Sequence, residues 1–415
     1  MFLRRVWLGS VAAAVLAASA PAQEPLDIDA YVGIVLRAHP RAAQMRAVEN
    51  LAAAERRAAG VWPDPILEAS LGRGRGFPDG LVSNGEWDYA ISQTIPWPSA
   101  RSARMRAAEL SGRVMLSSED AARWDLELEA RLAFWRLAYS RRALDLARRA
   151  DADAIAILEL TTRRVDVGEA READRSRALA ERVRVELSSK NAEREARAAE
   201  TALRLLAVET LPQALELRSE PPKPVTAEEI EARRQALARS SPFLRIALAA
   251  LEREMGLVAV ARAARGPDLG LSWLQASEID KKSWSLSLGV RLPVWNGGWA
   301  EVARAEASAS LARAVLERSR MEVSLVFESA VQEAEAADDG LRLLETTLVP
   351  TARKTWNLVR LSYEEGETSL LDLLDAQRTL RVAEIEELQA GFGLGRAWIE
   401  IERIGGQYKG AGEKR

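Results

Sequence analysis

The residues best placed to carry chemistry in this chain are acidic side chains that follow two glycines. Asp372 and Asp375 stand three residues apart, a spacing that puts both carboxylates on one face of a helix. Asp372 follows Gly366 by six residues, and Asp174 follows Gly168 by the same distance. Grouped carboxylates attract cations, but acids also favour helix N-termini for purely local reasons. A cation-attracting cluster and a set of helix-start acids are therefore both open interpretations.

Composition removes most enzyme classes from consideration. The 415 residues include no cysteine and one histidine, His39, which excludes disulfides, thiolate zinc sites, thiol nucleophiles and multi-histidine metal sites. Lys and Arg number 58 against 61 Asp and Glu, whereas a general nucleic-acid binder normally shows a basic excess. We therefore expect no enzyme activity, no cofactor, no resident metal and no nucleic-acid partner.

The first 22 residues have the pattern of a signal peptide. Arg4 and Arg5 precede an apolar stretch that ends at Ala18, and an Ala-x-Ala cleavage site ends at Ala22. The apolar stretch is shorter than the roughly 20 residues that a membrane-spanning helix needs. The sequence predicts an exported protein, and the absence of cysteine excludes a lipoprotein anchor.

Short motifs that contain proline or glycine in the first half of the chain recur in the second half, in the same order. Ile95-Pro96-Trp97 corresponds to Leu292-Pro293-Val294, and Val167-Gly168-Glu169 corresponds to Glu365-Gly366-Glu367. Such order and spacing indicate an internal duplication. The predicted organisation is a signal peptide at 1–22, a first repeat at 23–217, a Pro-rich linker at 218–226, a second repeat at 227–404 and a flexible tail at 405–415.

Each half contains one very long helical pattern. From about Ser99 to Val165 the apolar residues recur every three or four positions, and a similar pattern runs from about Ala300 to Tyr363. A helix of some 65 residues is about 100 Å long. Helices of this length imply a coiled coil or a bundle. Shorter helices are predicted at 27–60, 170–208, 227–264 and 370–404.

Two segments, 66–95 and 268–292, change to a period of two and predict β-hairpins. The clearest places Trp284, Leu286 and Leu288 on one face and serines on the other. One interpretation is a soluble sheet with one face on a core. The other is a membrane barrel, which an aromatic girdle favours. The girdle candidates are Trp87, Trp97, Trp273, Trp284 and Trp295. Four strands cannot close a barrel, so the barrel interpretation needs several chains in a symmetric ring.

Three motifs resemble the TolC-type outer-membrane efflux channel family, the outer membrane factors of tripartite export systems. The most specific is GETSLLDLLDAQR at Gly366–Arg378, a glycine turn followed by a Leu-Leu-Asp-Ala-type helix start. The others are ISQTIPWP at Ile91–Pro98 and LPVWNGG at Leu292–Gly298, which resemble strand-to-helix passages of heavy-metal and RND-linked members. The resemblance covers nearly the whole chain after the signal segment.

The resemblance implies a mainly α fold with a small β part. Long helical hairpins of three chains would form an α-barrel across the periplasm, continued by a shared 12-strand β-barrel in the outer membrane. It also implies a passive channel that works with a periplasmic adaptor protein and an inner-membrane pump of the RND type, in contact with outer-membrane lipid.

The same resemblance favours the gate interpretation of the acidic residues. Gly168 and Gly366 would mark the tips of the helical hairpins, and Asp372, Asp375 and Asp174 would line a constriction at the periplasmic end. Tyr363 would hold the tip closed through a hydrogen bond to Asp174. The alternative function is a periplasmic coiled-coil adaptor, a class that also has long helical hairpins but lacks two Trp-flanked strand pairs.

Overall fold

The computed structural model describes residues 25–75, 83–208, 210–218, 226–278, 281–291 and 297–406. The signal segment 1–22, Trp295 and most of the linker and tail lie outside the described residues. The elements, in chain order, are α1 (Ile28–Ala38), α2 (Pro40–Ala59), β1 (Ile66–Arg75), β2 (Ser83–Ile95), α3 (Pro98–Asp166), α4 (Glu172–Leu206), α5 (Ala227–Ser240), α6 (Pro242–Ala263), β3 (Asp268–Ser277), β4 (Lys282–Arg291), α7 (Trp299–Leu343), a π-helical turn (Leu344–Leu348), α8 (Val349–Glu365) and α9 (Leu370–Gly405).

Two predicted helices, 27–60 and 227–264, are each divided by a proline. His39 is extended, with φ −67° and ψ 139°. The ring of Pro40 disfavours the helical conformation in the residue that precedes it. Pro40 then opens α2, and the His39 Nδ1 accepts a hydrogen bond from the backbone N–H of Arg41 at 3.3 Å. Ser241 and Pro242 divide α5 from α6 in the same way. The prediction of single helices was wrong at these two positions.

The predicted long helices are confirmed, with one interruption. Helix α3 runs for 69 residues without a break. Its counterpart in the second half contains the π-helical turn Leu344–Leu348 directly before Pro350. Proline has no N–H to donate and its ring crowds the preceding turn, so a local widening of the helix accommodates it.

Each half of the chain has its own hydrophobic core. In the first half Tyr31 of α1, Phe134 of α3 and Leu203 of α4 are fully or almost fully buried together, and the Tyr31 hydroxyl donates to the Leu203 carbonyl at 2.9 Å. In the second half Phe327 of α7 and Trp398 of α9 pack with residues of α5. The short first helix of each half thus covers the same end of a long hairpin, an arrangement that the predicted duplication requires.

The four strands form one antiparallel sheet in the order β1-β2-β3-β4. The two predicted hairpins are therefore joined, through pairing of β2 with β3 from Trp87–Ser277 to Ile95–Leu269. Strands β2 and β4 lead towards α3 and α7, so the helices lie at one end of the sheet. The other end, which we call the loop end, holds the strand termini Arg75, Ser83, Ser277 and Lys282. In the described part of the chain, no helix has the length and apolar character needed to cross a membrane.

Candidate functional site

The two predicted hairpin tips are turns of the same construction. Gly168 after α3 has φ +82° and Gly366 after α8 has φ +86°, in the left-handed region that glycine adopts without strain. After Gly168, the N–H of Glu169 donates to the Arg164 carbonyl at 2.8 Å. After Gly366, the N–H of Glu367 donates to the Ser362 carbonyl at 2.8 Å. Both turns thereby satisfy the last carbonyl groups of a long helix.

The two tips pack directly against each other. The hydroxyls of Thr161 on α3 and Tyr363 on α8 are 3.0 Å apart, and both side chains are buried. Arg164 donates from Nη1 to the Tyr363 carbonyl at 2.8 Å, with its guanidinium 5.0 Å from the centre of the Tyr363 ring. A side chain at Gly366 would meet that guanidinium, with a Cβ only 3.2 Å from its nitrogen. The first and second hairpins are therefore locked together near their tips.

Tyr363 does not make the hydrogen bond that the sequence analysis assigned to it. Its hydroxyl pairs with Thr161 and not with Asp174. Asp174 lies at the third position of α4, where it accepts from the backbone N–H of Arg171 at 3.3 Å and pairs with the guanidinium of Arg177 at 3.5 Å. Its capping position on α4 directs the Asp174 carboxylate to groups of its own helix start.

Asp372 is also a helix-start acid. It forms a capping box with Ser369, whose hydroxyl donates to Oδ2 at 2.6 Å, and Thr368 donates to the same oxygen at 3.1 Å. Hydrogen bonds from the Ser369 hydroxyl, from its backbone N–H and from the Thr368 hydroxyl lower the pKa of Asp372. The carboxylate is exposed, and it remains ionised to lower pH than an ordinary aspartate.

Asp375 lies one turn further along α9 and is exposed. It makes no hydrogen bond or ion pair with another described residue. Asp372 and Asp375 line one groove of about 340 Å³ between α8 and α9, opposite Thr351 and Thr355. The predicted pair thus shares a face, and Asp375 is the member whose negative charge has no partner within the described chain.

A buried carboxylate that the sequence analysis missed joins the two hairpins. Glu181 of α4 is only 5% exposed. Its oxygens lie 3.2 Å from Arg378 and 3.6 Å from Arg381, both on α9, and 2.8 Å from Arg184 of its own helix. In the sequence it belongs to an Arg/Glu-rich pattern that is typical of a solvated helix face, so no local signal distinguishes it from its exposed neighbours.

The sheet has one strongly apolar and exposed face, which we call the outward face. Directly paired residues of antiparallel strands share a face. The register therefore places Leu71, Trp87, Trp273, Leu286 and Leu288 together on this face. Exposure reaches 89% for Leu71 and 68% for Leu288. The serines 283, 285 and 287 lie on the opposite face, which we call the inward face.

The predicted girdle tryptophans occupy different heights on the sheet. Trp284 is 74% exposed near the loop end of β4, and Trp87 stacks on Tyr89 with ring centres 4.7 Å apart. Trp97 lies at the opposite end, directly before α3. Trp273 lies in the middle of β3, not at a strand end. Aromatic residues thus occur near both ends of the sheet, with one between them.

No group of three or more histidine, cysteine or acidic side chains within the described ranges is arranged to hold a metal ion. The features with functional potential are therefore the locked tips, the acidic groove beside them and the exposed apolar sheet face. Helices that are about 100 Å long separate the tips from the sheet.

Comparison with known proteins agrees with this arrangement. Residues 232–407 match the family model described as "Outer membrane efflux protein". This part of the chain therefore resembles the outer membrane efflux protein family. A curated relative of the chain is the cobalt-zinc-cadmium resistance protein CzcC of Cupriavidus metallidurans, which is 25% identical over 316 residues, 74% of each chain.

Solved structures match the fold of almost the whole chain. The outer-membrane channel OprN matches with a TM-score of 0.78 at 20% identity and covers 92% of this chain and 90% of its own. The channel CusC matches with a TM-score of 0.79 at 15% identity and covers 92% of both chains. The predicted fold, mainly α with a small β part in the arrangement of TolC-type channels, is confirmed.

Proposed function

We propose that this efflux protein is a passive trimeric duct in the outer membrane. It would receive cargo from an inner-membrane pump of the RND type through a periplasmic adaptor, without catalysis of its own. The observation that carries the proposal is the sheet, whose exposed apolar face and two open edges lie at the end of long helices. Only lipid on that face and further strands at those edges would satisfy both features.

Closure of the sheet supports three copies. Strands β1 and β4 each have one edge without a partner strand among the described residues. Open strand edges do not occur in the hydrocarbon region of a membrane, and single-chain bacterial barrels start at about eight strands. A ring of three chains would supply twelve strands and pair β4 of each copy with β1 of the next.

Exposed apolar residues on the helices support the same assembly. Leu179, Val183 and Leu187 recur every four residues along α4, with exposures between 44% and 58%. Leu358 and Leu361 form a similar stripe on α8, at 57% and 53%. Helical stripes of this kind are normally buried against another helix. Contact of these stripes between copies would build the wall of an α-barrel.

The acidic groove supports a cation-attracting entrance at the tips. In a trimer, Asp372 and Asp375 of the three copies would place six carboxylates around the axis, and Asp174 would lie on the neighbouring hairpin. The carboxylates of Asp372 and Asp375 would both contribute to the field, because neither has a cationic partner within the described chain. Tyr363, through Thr161 and Arg164, would hold the hairpins in the closed arrangement.

The proposed location is the outer membrane, with the helices in the periplasm, and it rests on the family together with the signal pattern at residues 1–22. The name of the relative CzcC suggests divalent metal ions as one cargo class. An acidic entrance fits such cargo, since grouped carboxylates raise the local concentration of cations. The duct would pass its cargo without a dedicated binding site.

Extraction and conductance test the proposal. The full-length protein, purified from membranes in detergent, should have the mass of three chains by native mass spectrometry and should produce discrete conductance steps in planar bilayers. A periplasmic adaptor would instead be released without detergent and would not conduct. A soluble monomer obtained without detergent would overturn the duct.

A further inference from the structure

The loop end of the sheet separates charge between its two faces. All acidic residues of the described strands lie on the inward face, and they are Glu68, Glu86, Asp88 and Asp268. The outward face carries Arg73 of β1 and Lys282 of β4 at the loop end. Each base is an even number of residues from the leucines of its own strand and therefore points to the same side of the sheet.

The two bases come directly after the aromatic residues on this face. In β4, Lys282 is the next outward residue beyond Trp284 towards the loops. In β1, Arg73 is the next outward residue beyond Leu71, which pairs with Trp87. The apolar residues therefore end in an aromatic zone. Lys282 shares the row of Trp87 through Ser277, and Arg73 lies one row further towards the loop end. Aromatic rings of membrane proteins lie at the headgroup level, so these bases would lie at the depth of the phosphates.

Neither base has an acidic partner among the described residues. Arg73 and Lys282 are both exposed and form no ion pair with a described residue. Elsewhere exposed bases commonly have acidic partners, such as Lys190 with Glu186 at 2.7 Å and Lys281 with Glu278 at 3.6 Å. Glu86 and Asp88, the strand acids nearest to this level, lie on the inward face, where Asp88 accepts a hydrogen bond from Ser70 at 2.9 Å.

We propose that Arg73 and Lys282 form a binding surface for phosphate groups of lipids in the outer leaflet. The inference rests on the proposed trimeric duct, which puts the outward face in lipid. It goes beyond that function because it assigns a lipid headgroup chemistry to two named residues. The long aliphatic stems of both side chains can lie along the apolar surface while the charged groups reach the headgroups.

The topology also brings the two bases together. Arg73 lies on β1 and Lys282 on β4, which are the two edge strands of the sheet. Closure of a trimeric barrel would pair these edges between adjacent copies. Each of the three seams would then carry one arginine and one lysine on the lipid side, a combination suited to a headgroup with two phosphates.

Lipid binding by the detergent-purified trimer tests this proposal. The probe is diphosphoryl lipid A, compared with the same lipid after removal of both phosphates, with bound lipid counted by native mass spectrometry. We expect the double variant Arg73→Gln/Lys282→Gln to bind the phosphorylated lipid about 30-fold more weakly, since each base near an anionic lipid surface contributes a factor of about five.

Two controls separate charge position from charge number. The variant Arg318→Gln/Arg320→Gln removes two exposed arginines of α7 and should bind the lipid like the wild type. The charge-conserving variant Arg73→Lys/Lys282→Arg should stay within about twofold of the wild type, because phosphate recognition here needs charge near the surface. Conductance in planar bilayers is recorded for every variant.

Each other outcome overturns the inference. Equal lipid binding by the wild type and the double glutamine variant, with conductance intact, contradicts the inference alone. Altered ion selectivity with unchanged lipid binding places the two bases at the pore mouth instead. A wild-type protein that neither forms a trimer nor conducts overturns the proposed function as well.

Discussion

The hydroxyl groups of Thr161 and Tyr363 lie 3.0 Å apart, although 202 positions separate the two residues in the chain. Both side chains are buried, Thr161 completely. This contact joins the end of α3 to the end of α8, so the first and second hairpins cannot separate at their tips without breaking it. In the proposed duct, it opposes opening of the entrance.

Loss of this hydrogen bond should favour the open channel. Tyr363→Phe leaves the buried Thr161 hydroxyl without its partner, which costs about 1–3 kcal/mol. We expect a higher open probability in single-channel recordings and a lower unfolding temperature. Thr161→Val/Tyr363→Phe should be milder than the sum of the single variants. Thr162→Val is the control, because the Thr162 hydroxyl bonds only to the Leu158 carbonyl of its own helix.

The charge of Asp375 and the capping function of Asp372 can be separated. Asp375→Asn removes an unpartnered charge, so cation preference should fall while thermal stability stays within about 0.5 kcal/mol, as for most surface substitutions. Ser369→Ala weakens the start of α9 by about 1 kcal/mol and should leave cation preference unchanged. If both variants keep wild-type ion selectivity, the constriction lies elsewhere in the duct.

The two faces of β4 should respond differently to a new charge. Leu288→Arg places a guanidinium on the outward face and should cost about 2–4 kcal/mol if the residue lies near the middle of the membrane. Ser287→Arg places it on the inward face, where water would solvate it. The yield of folded trimer and its unfolding in denaturant measure the difference. Equal damage at both positions would indicate a sheet that is buried on both sides.

The buried carboxylate of Glu181 should contribute strongly to stability. Glu181→Gln leaves the Arg381 guanidinium, whose side chain is 21% exposed, without its charge partner. Removal of one member of a buried ion pair costs about 3–5 kcal/mol, and we expect the lower end because Arg378 is half exposed. Denaturant unfolding measures this cost. Glu193→Gln, which removes an exposed partner of Arg197 on the same helix, should cost less than about 1 kcal/mol.

Glu387 predicts a pH dependence. Burial, and then the nearby carboxylate of Glu345, raise the pKa of Glu387 above its ordinary value. The folded protein therefore holds this proton more tightly than the unfolded chain, and stability falls as pH rises from the ordinary glutamate range through the raised pKa. Glu387→Gln should abolish that fall and raise the unfolding temperature at neutral pH. Glu386→Gln, an exposed neighbour, should follow the wild-type pH profile.

Local patterns were sufficient to predict most elements of this fold. Alternation along β4 predicted the faces of Leu286 and Ser287, which the strand register confirms. Unbroken helical spacing predicted α3, and glycine predicted the turns at 168 and 366. Each of these features is determined by residues within a few positions of one another, so its signal survives in a single sequence.

Contacts between the two halves of the chain could not be predicted in this way. The hydrogen-bond partner of the Tyr363 hydroxyl depends on how one hairpin is rotated relative to the other. In the observed rotation this hydroxyl lies next to Thr161 and not next to Asp174. Burial of Glu181 depends on the position of α9, which no pattern in α4 indicates. The sequence alone does not separate the two interpretations of Asp372, because one carboxylate can cap its helix and line the groove at once.

The π-helical turn before Pro350 would limit the symmetry of the proposed trimer. Helix α3 is continuous, whereas its counterpart in the second half contains this turn. The two long helices of one chain therefore differ in shape. A ring of three such chains has a threefold axis but no sixfold axis. Such a ring would have six grooves between its long helices, of two alternating kinds. Adaptor molecules in all six grooves would therefore bind two chemically different surfaces.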